Sequence, residues 1–162
     1  MAVVRRAEVE WIGGFTDGEG KIVSTGSGAI PELEVSWMAR VDEDQPGTNP
    51  EELLAAAHAS CFAMQFTSGL VGSGWEPEEL SVECEVSFEV GLGITQSALT
   101  ARVTVDGLTD EQIYEIAQRA KIMCPVSRAL AGIDITLDLP DLVLEDEEEE
   151  EDVAATAAGD EE

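Results

Sequence analysis

Residues 50–74 constrain the fold more than any other stretch. The run PEELLAAAHASCFAMQFTSGLVGSG is apolar or small at almost every position. A helix with no continuous polar face must be covered, because a helix bordering water keeps one side polar. Its start is equally legible. Asn49 fits the N-cap, Pro50 the first helical position where its missing N–H costs nothing, and Glu52 follows Asn49 by three residues, the pattern of a capped helix start. The spacing predicts a long central helix from Pro50, and the rest of the chain must supply the layers that cover it.

Those layers read as strands. Leu80, Val82, Cys84, Val86, Phe88 and Val90 alternate with Ser81, Glu83, Glu85, Ser87 and Glu89, the period of a strand with one face inward. Residues 94–105 repeat the theme through Ala101, Val103 and Val105 after a turn at Gly91 to Gly93, which predicts a hairpin. Ala7 to Ile12 and Gly20 to Thr25 flank a Gly- and Asp-containing loop and predict a first hairpin. Glu34 to Val41 carries Val35, Trp37 and Ala39 on one face and Arg40 on the other, and reads as a third strand. Thr109 with Gln112 forms a second capping box ahead of the stripe Ile113, Ile116, Ala117, Ala120, so a helix ends near Met123. Pro125 cannot continue it, and a short helix from Pro125 to Ala131 and a strand from Asp134 to Leu139 complete an α+β domain.

A compositional break after Pro140 divides the chain into a domain, residues 1–141, and an acidic tail, 142–162, expected to be disordered because a block of like charge cannot bury enough apolar surface. The tail holds 11 acids and no base, yet residues 1–141 still hold 24 acids against 8 bases, within a total charge of -27. Such a surface repels nucleic-acid phosphates and anionic membranes, which excludes both as partners. It also keeps a protein soluble where salt shrinks the Debye length to about 3 Å at 1 M. A salt-rich cytosol is therefore the expected setting; an ordinary cytosol with a solvated tail is the alternative. No apolar run approaches the roughly 18 residues of a membrane span, and MAVVRR lacks the apolar core of a secretory signal, so a cytoplasmic protein is expected. Three cysteines are an odd number for a disulfide scaffold, and any disulfide in a reducing compartment should be transient and chemical.

Cys84 fills an inward strand slot and reads as a small hydrophobe. Cys61, inside the apolar helix, reads equally as an inert core thiol or as a reactive one. Cys124 stands directly before Pro125 at a helix junction. The surroundings carry more information than the cysteines themselves. GTNPEELLAAAHASCFAMQ, Gly47 to Gln65, and CPVSRAL, Cys124 to Leu130, closely resemble the two signature segments of the OsmC/Ohr family. GKIVSTGSG, Gly20 to Gly28, and the segment ending in Arg40 are similar to its OsmC branch. The resemblance runs through nearly all of residues 7–139.

What the resemblance implies is an OsmC-like fold, with antiparallel sheets packed around a long central helix in an intertwined homodimer. It also implies a thiol-dependent peroxidase acting on organic hydroperoxides: Cys61 attacks peroxide, Cys124 resolves the sulfenic acid, and a dithiol such as a lipoyl group resets the pair. Arg40 and Glu51 match the family's polar site residues, though the loop from Val41 to Pro46 is longer here than in the family pattern. Physical chemistry asks for such an arginine, since a thiol in apolar surroundings ionises with difficulty and Cys61 lies too far along its helix for the macrodipole to help. Glu51 would lie roughly 15 Å along the helix from Cys61. The two serve one centre only if antiparallel helices of a dimer bring each Glu51 to the partner's Cys61. The plainer alternatives are a solvent-facing Arg40 and a first-turn carboxylate at Glu51. His58, three residues before Cys61, invites a Cys–His hydrolase reading, but packing or hydrogen bonding is its expected role. One histidine and no CxxC pair leave a zinc site unsupported, and no cofactor is expected. A redox-sensing or small-molecule-binding dimer without efficient turnover is the competing function.

Overall fold

The alternation at residues 80–90 becomes the longest antiparallel pairing in the molecule. In the computed structural model, which describes residues 2–144, β4 (Glu79–Glu89) pairs with β5 (Gly93–Thr104) along its whole length, and β6 (Asp134–Asp138) joins the other edge of β5 in parallel. β1 (Ala7–Ile12), β2 (Glu19–Thr25) and β3 (Leu33–Val35) form a second antiparallel sheet, in chain order. Four helices complete the described residues: α1 (Met38–Val41), α2 (Pro50–Gly72), α3 (Asp110–Met123) and α4 (Pro125–Ala129). Mixed α+β architecture around one long helix is what the sequence predicts. The parallel placement of β6 is the departure from antiparallel sheets; it follows from the crossover through α3 and α4, which returns the chain in the direction of β5.

Both capping expectations hold. The Asn49 side chain accepts the Glu52 N–H at 2.8 Å, with Pro50 in the first turn. Thr109 and Gln112 cap each other's backbone N–H groups at the start of α3. The core lies where α2 and α3 meet the β4–β5–β6 sheet. Phe62, Phe66 and Leu70 recur every fourth residue on α2 and are fully buried with Leu99, Ala101 and Ala117, so one helix face seats them all. Phe66→Ala should therefore cost about 3–5 kcal/mol of stability, lost burial plus an unfilled cavity, measurable by urea unfolding at fixed protein and salt concentration.

Three expectations need correction. α2 is covered along one stripe only, and Met64 stays 73% exposed on another face; the apolar surface that would have to be covered on all sides is left open in a single chain. Val90 does not point inward. The register shifts between Ser87 and Phe88, and Val90 enters the turn before Gly91, 72% exposed. The third strand ends at Val35 rather than Val41. The Ser36 hydroxyl accepts the Ala39 N–H at 3.0 Å, a local hydrogen bond that competes with strand pairing and turns the backbone into α1.

The compositional boundary at residue 141 is not where contacts stop: Leu142 packs on the core and the Val143 N–H donates to Asp110 Oδ2 at 2.8 Å. The rest of the expected acidic tail, from residue 145, lies outside the described residues. No helix among the described residues is long and apolar enough to cross a membrane.

Candidate active site

Two clusters of functional side chains form, one at each half of α2. At its N-terminus, Arg40 meets Glu51. Arg40 Nε donates to both carboxylate oxygens at 3.0 Å and Nη2 to Oε1 at 2.5 Å, the charge-assisted fork that fixes a guanidinium in one plane. Glu51 is buried and Arg40 half-buried. The helical turn of α1 presents Arg40 to the first turn of α2. Asn49 holds the two together, because its Nδ2 donates to the Ala39 carbonyl at 2.9 Å while its oxygen caps α2. Phe88 stands 4.0 Å from the Arg40 Cζ and Trp37 5.8 Å, so aromatic faces flank the cation. The cleft beside the pair is lined also by Ala55, Glu85 and Ser87.

At the middle of α2, Cys61 meets Cys124. The two thiols lie close enough to influence each other's ionisation. Cys61 is half-buried and Cys124 fully buried at the junction of α3 and α4. Pro125 is the physical reason the junction exists: it ends α3 and starts α4, leaving the Val126 and Ser127 N–H groups free of helical partners. Burial pushes the Cys61 thiol pKa up, the Val126 N–H opposes this, and the neighbouring Cys124 adds to the rise. At Cys124 burial also works against ionisation, yet the Ser127 N–H and hydroxyl, the Cys61 thiol and the Val126 N–H outweigh it, and its pKa is lowered. The Cys124 side chain makes no capping hydrogen bond to α4.

The predicted site residues thus come together as two pairs rather than one centre. Ten residues separate Glu51 from Cys61 on one helix, about 15 Å, and no cation is among the groups acting on Cys61 among the described residues. Behind the cysteines lies a cluster that sequence reasoning only touched. His58 is fully buried, with Nδ1 2.7 Å from Ser97 Oγ and Nε2 2.8 Å from Ser127 Oγ. Burial lowers its pKa, which favours the neutral imidazole. This bears out hydrogen bonding as its role. Cys84 reaches the same cluster, its sulfur 3.3 Å from Ser97 Oγ. Burial raises its thiol pKa, with Ser97 opposing. Ser97 and Ser127 were invisible as functional candidates because nothing in a lone serine announces a buried partner from another element.

The family of OsmC-like proteins matches residues 42–138. The peroxiredoxin OsmC of Escherichia coli K12 is 37% identical over 141 residues, covering 85% of this chain and 96% of its own. The organic hydroperoxide resistance protein OhrA of Bacillus subtilis is 31% identical over 146 residues, covering 83% and 95%. Among solved structures, an organic hydroperoxide resistance protein OsmC from Legionella pneumophila superposes with a TM-score of 0.66 at 25% identity, covering 86% of this chain and 98% of that one.

Proposed function

The chain belongs to the OsmC-like family, and on that premise we propose that it is a cytoplasmic, thiol-dependent peroxidase that reduces organic hydroperoxides to alcohols. The observation that carries this reading is the proximity of the Cys61 and Cys124 thiols, which influence each other's ionisation although they are 63 residues apart in sequence. The division of labour follows access. Cys61 is the more open thiol and Cys124 is fully buried, so peroxide meets Cys61 first. The Cys61 thiolate attacks the distal peroxide oxygen, the O–O bond breaks, and the alkoxide leaves as alcohol after taking up a proton. The sulfenic acid on Cys61 condenses with Cys124, releasing water, before it can be overoxidised. A dithiol, lipoyl or other, then restores both thiols by exchange.

The Arg40–Glu51 pair enters through a second copy of the chain. We place it across a homodimer whose central helices run antiparallel, so that each Arg40 faces the partner's Cys61. Two observations support this. Burial opposes ionisation of Cys61 and no cation among the described residues offsets it, whereas a guanidinium brought to it would lower that cost and stabilise charge developing in the transition state. Moreover, Met64 on α2 and Val9, Trp11 and Ile12 on β1 are exposed in one chain, an apolar surface in need of cover.

The direct test is steady-state consumption of cumene hydroperoxide with dihydrolipoamide, in molar salt to screen the charge of -27. Turnover is expected. Folded, reduced protein that forms the disulfide once and then consumes no further peroxide would overturn the enzyme and leave a redox sensor. Cys124→Ser should still react once per site, giving a Cys61 sulfenic acid that dimedone traps stoichiometrically. It should then lose activity to overoxidation under excess peroxide, read by intact mass.

A further inference from the structure

We propose that the cleft around Arg40 selects its hydroperoxide by charge: it admits neutral hydroperoxides and turns away those that carry a carboxylate, until salt screens the acids that line it. The inference rests on the peroxidase reading, with Arg40 facing the partner's Cys61, and narrows the substrate class of that same site.

The hydrogens of Arg40 set what the cleft can hold. A guanidinium carries five N–H donors in a fixed fork. The side-on pair, on Nε and Nη2, is spent on the Glu51 carboxylate. Two hydrogens on Nη1 and one on Nη2 remain, and none has an acceptor among the described residues. One from each nitrogen makes the end-on edge of the fork, a pair of donors for an incoming oxygen. Arg40 Cζ lies 4.0 Å over the Phe88 ring, so an apolar wall stands beside that edge. Donors next to an apolar wall suit an oxygen acceptor joined to an apolar tail.

Those donors would hold an anion equally well if the charge of Arg40 were free. It is not, because Glu51 balances it at contact distance, and no other base lines the cleft. Four more carboxylates do: Asp42, Glu43, Glu52 and Glu85. With Arg40 and Glu51 cancelling, they leave the cleft a formal charge of -4, within a chain whose total is -27. Asp42 accepts from the Asp44 N–H and from Gln45 Nε2, and Glu52 from the Thr48 hydroxyl. These neutral donors orient the two carboxylates without removing their charge. Glu43 and Glu85 are exposed and form no ion pair among the described residues.

The size of the effect depends on salt, and that dependence is its signature. A cleft lined by one sign of charge changes the encounter rate of a charged ligand by roughly 10- to 1,000-fold. The screening length is about 30 Å at 0.01 M and about 3 Å at 1 M. A substrate carboxylate in the cleft therefore feels all four acids in dilute buffer and only those it touches in molar salt. A neutral hydroperoxide feels little difference. A pocket that discriminated by shape would do so equally at every salt concentration.

The test compares two substrates of one shape, cumene hydroperoxide with a para-carboxylate and its methyl ester, in the full-length protein with a neutral dithiol. In the most dilute buffer in which circular dichroism shows the native fold, kcat/KM for the ester should exceed that for the acid by at least about tenfold, and the ratio should fall toward one in 1 M salt. Glu43→Gln/Glu85→Gln should narrow the dilute-buffer ratio by about threefold or more, and any general effect on folding or on Cys61 reactivity cancels in a ratio. A peroxide-free arm reads the same field through alkylation of Cys61 in Cys84→Ser/Cys124→Ser protein. Iodoacetate should lag iodoacetamide by about tenfold more than it does on a small neutral thiol, again only at low salt. Equal turnover of ester and acid in dilute buffer, or a ratio that salt and the double variant leave unmoved, would overturn the proposal. Turnover of neither substrate with charge-biased alkylation would instead sink the peroxidase reading and uphold the charge selection at Cys61.

Discussion

Cys61→Ser is expected to eliminate hydroperoxide turnover, a fall of at least about 1,000-fold in kcat/KM, while leaving the fold intact. A serine hydroxyl is of similar size but stays protonated at neutral pH and cannot displace an alkoxide from a peroxide oxygen. Nothing else in the site can substitute. Cys124 is fully buried, out of reach of a dissolved peroxide. The measurement is the initial rate with cumene hydroperoxide and a dithiol, alongside far-ultraviolet circular dichroism to confirm folding. Residual turnover near the wild-type rate would transfer the nucleophile to another residue and overturn the assignment of Cys61.

Arg40→Met is expected to lower kcat/KM by about 100-fold or more, the usual consequence of removing one preorganised donor from developing charge. It should also move the midpoint of the pH–rate profile upward. The sign follows from the chemistry. Burial already raises the Cys61 pKa, a neighbouring cation favours the thiolate, and its loss shifts ionisation to higher pH. Arg40→Met leaves Glu51 without its partner in a buried setting, so Arg40→Lys is the milder companion, keeping charge but losing the fork. The decisive version uses hybrids. A purified dimer of one Cys61→Ser chain and one Arg40→Met chain contains one complete site if the arginine acts across the interface, and none if it acts within its own chain. About half of the wild-type rate per dimer is expected, one of two equivalent sites. A hybrid as inactive as both parents would overturn the cross-subunit assignment.

Several short-range signals in the sequence carry through to the structure. The cap at Asn49, the capping box at Thr109, the break at Pro125 and the alternation from Leu80 to Phe88 all appear where expected. The sequence misleads where a local pattern fits two structures. Glu34 to Val41 alternates like a strand, but one hydrogen bond from the Ala39 N–H to the Ser36 hydroxyl makes it a helical turn. That difference matters to the site, because the turn is what presents Arg40 to Glu51.

Local chemistry along the chain decided the long helix, its caps, the paired strands and the positions of both signature cysteines, since each depends on contacts a few residues apart, governed by periods of 3.6 or 2. Only the tertiary structure decided that Cys61 lies near Cys124, that Arg40 pairs with Glu51 a full ten residues before Cys61, and that His58 joins serines from β5 and α4. Such contacts close loops of 11 to 69 residues. No periodicity encodes them; they exist because burial of Phe62, Phe66 and Leu70 fixes α2 against the sheet and α3, and polar groups carried into the interior must then find one another or remain unpaired.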